Sequence, residues 1–307
     1  MRGGKPNRFL GLRGRERAFA AALLFPCFLA VALFAFYPVL YTVFLSLHRM
    51  VLSLPGSERE FAGAANYLDL LADPAARRAL ANTLVFVAVS TALEMLLGLV
   101  IALLINRRFP GRGMLRAAVL VPWAIPTVVA SQMWRFIFND AYGVLNFALY
   151  GSDLASYRAW LAVPRLSVAA IIAADVWKTS SFAALIILAG LQMIPDELYE
   201  SARIDGAGPW RRFTRITLPL VRPSILIALL FRTADAFRVF DLVFVMTQGG
   251  PADATSVLQF YGYKKIFAEG FMGYGSSLSV VVFLISCLVC AGYLRTLGKR
   301  FYREPAP

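Results

Sequence analysis

The chain has 307 residues, 59% of them hydrophobic and 16% charged, with 31 Lys and Arg against 18 Asp and Glu for a formal charge of +13. Its apolar residues gather in blocks of about twenty, a membrane pattern that argues against an ordinary soluble core and against the short alternating strands of a β-barrel. The basic residues lie mostly between these blocks, which points to lipid and not nucleic acid as the partner.

In chain order the apolar blocks predict six membrane helices, over 19–47, 80–105, 115–138, 167–191, 219–246 and 276–294. The expected fold is an all-α polytopic membrane protein, because an exposed strand edge or irregular chain would leave backbone groups unpaired in hydrocarbon. The organisation is a tail over 1–18, one membrane domain over 19–294 and a second tail over 295–307. The first apolar block is far longer than a signal-peptide core and is read as a retained span. Pro26 and Pro38 in the first helix, and Pro122 and Pro126 in the third, predict bends.

Orientation follows from the basic residues. Segments 1–18, 106–116, 195–222 and 295–307 carry six, four, five and four Lys and Arg, nineteen on one side. Segments 48–79, 139–166 and 247–275 carry four, two and two, eight on the other. The positive-inside bias predicts cytoplasmic termini and a cytoplasmic 195–222 segment.

The fourth helix carries Asp175 and Lys178, with Trp177 between them. They can close a polar network with the fifth helix or line a translocation path, and both readings stand. Asn82 and Glu94 in the second helix, Gln132 and Gln192 are further polar candidates.

Between helices four and five, Pro195-Asp196-Glu197 reads as a helix start, with acids where amide N–H groups are unpaired. Gly206 and Gly208 permit a turn, Pro209 opens a second short helix through Trp210, Phe213 and Ile216, and Pro219 opens the next span. Such a knob would expose Tyr199, Ile204, Trp210 and Phe213 to water unless a cytoplasmic partner covered them.

In the fifth helix Arg232, Asp235, Arg238 and Asp241 recur every three residues with alternating sign. Facing lipid they would cost roughly 2.5–3.5 kcal/mol each, so they face partner helices or a water-filled path. On a straight helix three-residue steps sweep the set around about half the circumference, so the four cannot all aim at one spot. Asp235 and Asp241 suit sugar hydroxyls as acceptors, Arg238 suits ring oxygens, and Phe237, Phe240 and Phe244 supply apolar surface for ring faces. An ion-paired framework without ligand contact is the other reading. Beyond this helix, Gln248-Gly249-Gly250-Pro251 is an external turn, either a docking element or a simple chain reversal. The stretch from Ser256 to Phe271 is expected to hold a short interfacial helix.

Glu200, Ala202, Asp205, Gly206, Ala207, Phe213, Ile216, Leu218 and Pro219 match a loop pattern found in permease subunits of binding-protein-dependent ABC sugar importers. Ser201 stands in place of the usual first alanine. The chain resembles the MalF/UgpA-like branch of that family, and the likeness continues from Phe231 through Asp241 to Pro251. The resemblance implies a type I ABC importer permease fold with six transmembrane helices. It implies that Glu200 and Gly206, with Ala202, Asp205 and Ala207 beside them, couple to an ATPase, so that 195–218 is the coupling loop. Implied partners are a second homologous permease subunit, two nucleotide-binding ATPase subunits that carry ATP and magnesium, and an extracytoplasmic solute-binding lipoprotein facing Gln248 to Pro251. No cofactor is expected on this chain, and the expected location is a bacterial plasma membrane. Trehalose is the sugar the likeness favours. Another sugar, a glycerol-phosphate compound or passage through a passive channel remains as an alternative.

An enzyme is poorly supported. The only histidine, His48, has no partnered nucleophile, and no phosphate-binding Gly-rich loop is present. Cys287 and Cys290 have redox-like spacing without a second pair or a nearby histidine, and read as packing.

Overall fold

The computed structural model describes residues 8–52, 60–107 and 109–296; the remainder of both expected tails, and Arg108, lie outside the described residues. Five helical segments are long and apolar enough to cross a membrane: Phe19–Ser46, Pro74–Asn106, Pro164–Gln192, Pro209–Ala236 and Met272–Arg295. A sixth span exists only as a bent pair, Arg112–Ala124 and Thr127–Ile137, inclined at 92°. The chain is an all-α multi-pass membrane protein.

The first span consists of α1 (Arg8–Val31), a π turn at Ala32–Phe36 and α2 (Tyr37–Ser46). The apolar span begins at Phe19, as expected, and its helix extends back to Arg8. Pro38 has no N–H to give, and the Tyr37 N–H immediately before it reaches back five residues to the Ala32 carbonyl. A two-residue ribbon follows, β1 (His48–Arg49) against β2 (Glu60–Phe61), antiparallel.

After α3 (Ala65–Ala72), Asp73 starts α4 (Pro74–Asn106), accepting the Ala75 N–H at 2.8 Å while Pro74 occupies the first turn. Tyr261 and Tyr274 both donate to the Asp73 Oδ2 at 2.7 Å, which ties this helix start to the last third of the chain. Arg116 closes the other end of α4 by donating to the Ile105 carbonyl.

The third expected span is the break between α5 (Arg112–Ala124) and α6 (Thr127–Ile137). Ile125 precedes Pro126 and is held extended, as a residue before proline prefers, so the helix stops and turns. A connecting segment follows with α7 (Val144–Tyr150), and then comes α8 (Pro164–Gln192). α8 is the central post, packed against α4, α5, α6, α11 and α12. Small residues bring the posts together: a Cβ on Gly98 would meet Ala183 Cβ at 2.8 Å, and one on Gly190 would meet Ser224 Cβ at 2.6 Å.

α9 (Asp196–Ile204) and α10 (Pro209–Arg212) form the knob. The expected second short helix is not separate from the next span. α10 runs through a π turn at Phe213–Thr217 into α11 (Leu218–Ala236) without interruption. The Leu218 N–H reaches the Phe213 carbonyl, and Pro219 follows at once, as Pro38 follows Tyr37 in the first span. The fifth span also ends earlier than expected, at Ala236 rather than Met246, and α12 (Asp241–Met246) starts afresh. α13 (Leu258–Tyr263), a π turn at Lys264–Ala268 and α14 (Met272–Thr296) complete the chain.

Candidate functional site

The knob turn is built by glycine. Gly206 has φ +74°, its N–H bonds to the Arg203 carbonyl at 3.0 Å, and the Ala207 N–H bonds to the Ala202 carbonyl at 2.8 Å. These two bonds close α9 as a Schellman motif with Gly206 in the left-handed position. Gly208 and Pro209 then start α10. Glu200, Asp205 and Gly206 are exposed, Ala202 and Ala207 half-buried. Ile204 and Trp210 are 87% and 76% exposed, a large apolar surface for a protein otherwise able to bury such groups in lipid or core. Tyr199 instead turns inward, its hydroxyl 2.9 Å from the Thr217 hydroxyl, and so braces α9 against the π turn. Trp210 and Phe213 lie with ring centroids 5.8 Å apart and planes tilted by 35°, beside a groove of about 870 Å³ that Tyr199 and Leu103 also line.

A second, polar cleft of about 110 Å³ sits where α11 ends. Asp175, Lys178, Asp235, Arg238, Phe240 and Asp241 all line it, joined by Thr127, Thr179 and Arg232. The straight-helix expectation that the fifth-span charges cannot converge fails for a local reason. The Phe237, Arg238 and Val239 N–H groups close the last turn of α11 on carbonyls at Thr233, Asp235 and Ala236, and Phe240 leaves helical geometry at φ −140°. The break lets Arg238 and Asp241 line the same cleft as Asp235.

Arg232 is the hub. It is 3% exposed, and its Nε and Nη2 donate to the two Glu94 oxygens at 2.6 and 3.1 Å. Its Nη1 donates to Asp235 Oδ2 at 2.6 Å, and Asp175 Oδ2 lies 3.6 Å from Nη2. Asp235 passes the contact outward, its Oδ1 3.6 Å from Arg238 Nη2. Lys178 does different work: it donates to the Trp123 and Ile125 carbonyls at 3.2 and 2.5 Å, satisfying the acceptors freed by the 92° bend. Asp175 Oδ2 is buried and accepts no hydrogen bond.

Phe240 and Phe244 stack at 5.3 Å and share Tyr263, whereas Phe237 is 2% exposed and packs in the core. Of the three phenylalanines, Phe237 therefore offers no surface to a ligand. The turn from Gln248 to Pro251 is tied down. Thr255 donates to the Gly250 carbonyl at 2.7 Å, and Asn82 on α4 donates to the Asp253 and Ser256 carbonyls at 3.0 Å. Gly249 has φ +83° and is buried against Phe260, leaving Gln248 exposed and Gly250 and Pro251 half-exposed. Asn82, a polar candidate from the sequence, thus serves the turn and not the cleft. Among the described residues no group of three or more His, Cys, Asp or Glu is arranged to hold a metal.

Residues 94–302 match the family described as binding-protein-dependent transport system inner membrane component. The chain is 41% identical to the trehalose/maltose transport system permease protein MalF of Thermococcus litoralis, covering 95% of this chain and 97% of that protein. It is 38% identical to the trehalose transport system permease protein SugA of Mycobacterium tuberculosis, with 94% and 91% covered. It is 40% identical to the sulfoquinovosyl glycerol transport system permease protein SmoG of Agrobacterium fabrum, with 93% and 92% covered. Similarity therefore does not single out a trehalose permease. A chain of the bacterial alginate ABC transporter, solved with an alginate pentasaccharide-bound periplasmic protein, superposes with a TM-score of 0.80 at 20% identity, covering 95% of this chain and 98% of that one. The fold is that of type I ABC importer permeases, and the chain belongs to the family of binding-protein-dependent transport system inner membrane components, as a non-catalytic permease subunit.

Proposed function

We propose that this chain forms one half of the membrane pore of an ATP-driven sugar importer, with a disaccharide, trehalose, as its cargo. The observation that carries the reading is the pairing of a knob displaying Ile204 and Trp210 with a cleft that gathers Asp175, Asp235, Arg238, Asp241 and Phe240. Carboxylates, a guanidinium and an aromatic face are what a polyhydroxylated ring needs for orientation. The names of the MalF and SugA relatives support the sugar class.

In this reading both termini and the coupling loop 195–218 are cytoplasmic, on a bacterial plasma membrane, with the permease domain spanning 19–294. Glu200, Ala202, Asp205, Gly206 and Ala207 meet one of two nucleotide-binding ATPase subunits, with Trp210 and Phe213 as apolar anchors and Tyr199 as their brace. Gln248 to Pro251 meet a solute-binding lipoprotein outside, and a second permease subunit completes the path. ATP and magnesium act on the partner ATPases, whose closure moves the knob and switches the cleft between the two sides. Asp175 and Lys178 frame the path, with Lys178 holding the bent third span open beside it.

The test is reconstitution of the chain with its neighbouring permease, ATPase and binding protein in vesicles. ATP-dependent trehalose uptake is expected. Uptake that ignores ATP would overturn the importer, and coupled uptake of maltose alone would replace only the sugar.

A further inference from the structure

We infer that the cleft at the end of α11 selects neutral, hydroxyl-rich glycosides and rejects phosphorylated or sulfonated ones, with Asp175 as the acceptor for one sugar hydroxyl. The inference rests on the sugar-permease reading and narrows it, since the relatives include one named for sulfoquinovosyl glycerol.

Two independent features carry it. The first is an unmet need. Asp175 is 6% exposed, lines the cleft, and its Oδ2 is buried with no hydrogen-bond donor; the nearest cation, Arg232 Nη2, stands at 3.6 Å. A buried carboxylate oxygen without a donor is costly, and a ligand hydroxyl is a donor of the right kind. An anionic oxygen brings no proton to give.

The second feature is how the cations are already engaged. Three acids, Asp175, Asp235 and Asp241, line the cleft with three bases, Lys178, Arg232 and Arg238. The Lys178 ammonium is directed at the Trp123 and Ile125 carbonyls. The Arg232 fork is directed at Glu94 and Asp235, and Glu94 adds a fourth carboxylate behind it. Only Arg238 presents its guanidinium outward, and it does so beside Asp235 at 3.6 Å. A phosphate or sulfonate needs a cluster of uncommitted donors, and this cleft lacks one among its lining residues. Discrimination by repulsion follows as naturally as recognition by attraction.

The experiment is equilibrium binding of trehalose, maltose and trehalose 6-phosphate to the purified complex of this chain with its partner permease and ATPases, without the binding protein. A preference of about tenfold or more for a neutral disaccharide over the phosphate is expected. Asp175→Asn should weaken neutral binding by about tenfold and shrink that preference, and Asp175→Glu should restore part of both. Asp241→Asn, at an exposed position where folding is not at stake, removes another acceptor that lines the cleft and should both weaken neutral binding and shrink the preference. Equal or tighter binding of trehalose 6-phosphate by the unaltered complex would overturn the inference while leaving a sugar permease in place. Binding of none of the three would overturn the sugar reading beneath it.

Discussion

Arg232 on α11 grips both carboxylate oxygens of Glu94 on α4, Nε to Oε2 at 2.6 Å and Nη2 to Oε1 at 3.1 Å, across 138 positions of sequence. Both side chains are almost wholly shielded, at 4% and 0% exposure. Removing one member of such a pair strands the other charge, a loss of about 3–5 kcal/mol. Glu94→Ala is therefore expected to lower the melting temperature of the assembled complex sharply. Arg232→Lys should fare little better, because an ammonium cannot reproduce the two-pronged contact. Melts matching the parent for both variants would contradict the clamp.

Lys178→Met keeps the length of the side chain and removes its donors. The Trp123 and Ile125 carbonyls at the bend then lose their partner, at a cost of about 1–3 kcal/mol. A fall in thermal stability with sugar affinity retained in the surviving complex would identify Lys178 as a support for the bend. Loss of affinity at unchanged stability would move it into the ligand shell.

Gly206→Val tests the knob. A Cβ there meets nothing of this chain within 4 Å, so within the chain the strain comes from the positive φ. Assembly of the membrane helices should be unchanged, and sugar-stimulated ATP hydrolysis by the complex should drop several-fold. Full stimulation with this variant would argue that the turn plays no part in coupling.

Asp73 gives a pH dependence with a definite sign. Burial pushes its carboxyl up, but hydrogen bonds from Tyr261, Tyr274 and the N–H groups of Ala75 and Ala76 outweigh it and hold it below the ordinary value of 3.8. Its contribution to stability is thus complete above that value and disappears as pH falls through the lower folded-state value. Burial and the Asp73 contact push the Tyr261 hydroxyl the other way, so the same cluster also weakens at strongly alkaline pH. Thermal melts across pH should show an acid limb that Asp73→Asn flattens; an identical limb in the variant would refute the assignment.

What was legible in the sequence was what lies close together in it. Glu200 to Pro219 carries its turn in its own residues: acids to start α9, Gly206 to end it, Pro209 to restart. The membrane spans follow from apolar length, although the apolar block begins the second span at 80 and α4 starts six residues earlier, at the Asp73-Pro74 cap. Relationships across long separations were hidden. Nothing local to Lys178 names carbonyls more than fifty positions earlier as its partners, and nothing local to Glu94 names Arg232. The end of α11 is hidden in the sequence because Phe237 to Asp241 contains neither Gly nor Pro, so the helical period runs on past Ala236. Phe237 has the same aromatic character as Phe240 and Phe244, but it sits in the closing turn of α11 and packs in the core.

The uninterrupted run from Pro209 to Ala236 is 28 residues, about 42 Å at 1.5 Å per residue. Trp210 and Asp235 therefore sit near opposite tips of a single rod. An axial push or twist on one tip reaches the other without any relay of side-chain rearrangements, and the rod gives at two places, the wide turn at Phe213–Thr217, which Tyr199 props, and Pro223 inside α11. Stiffening or loosening the wide turn should change how far each stroke carries, leaving both ends chemically intact.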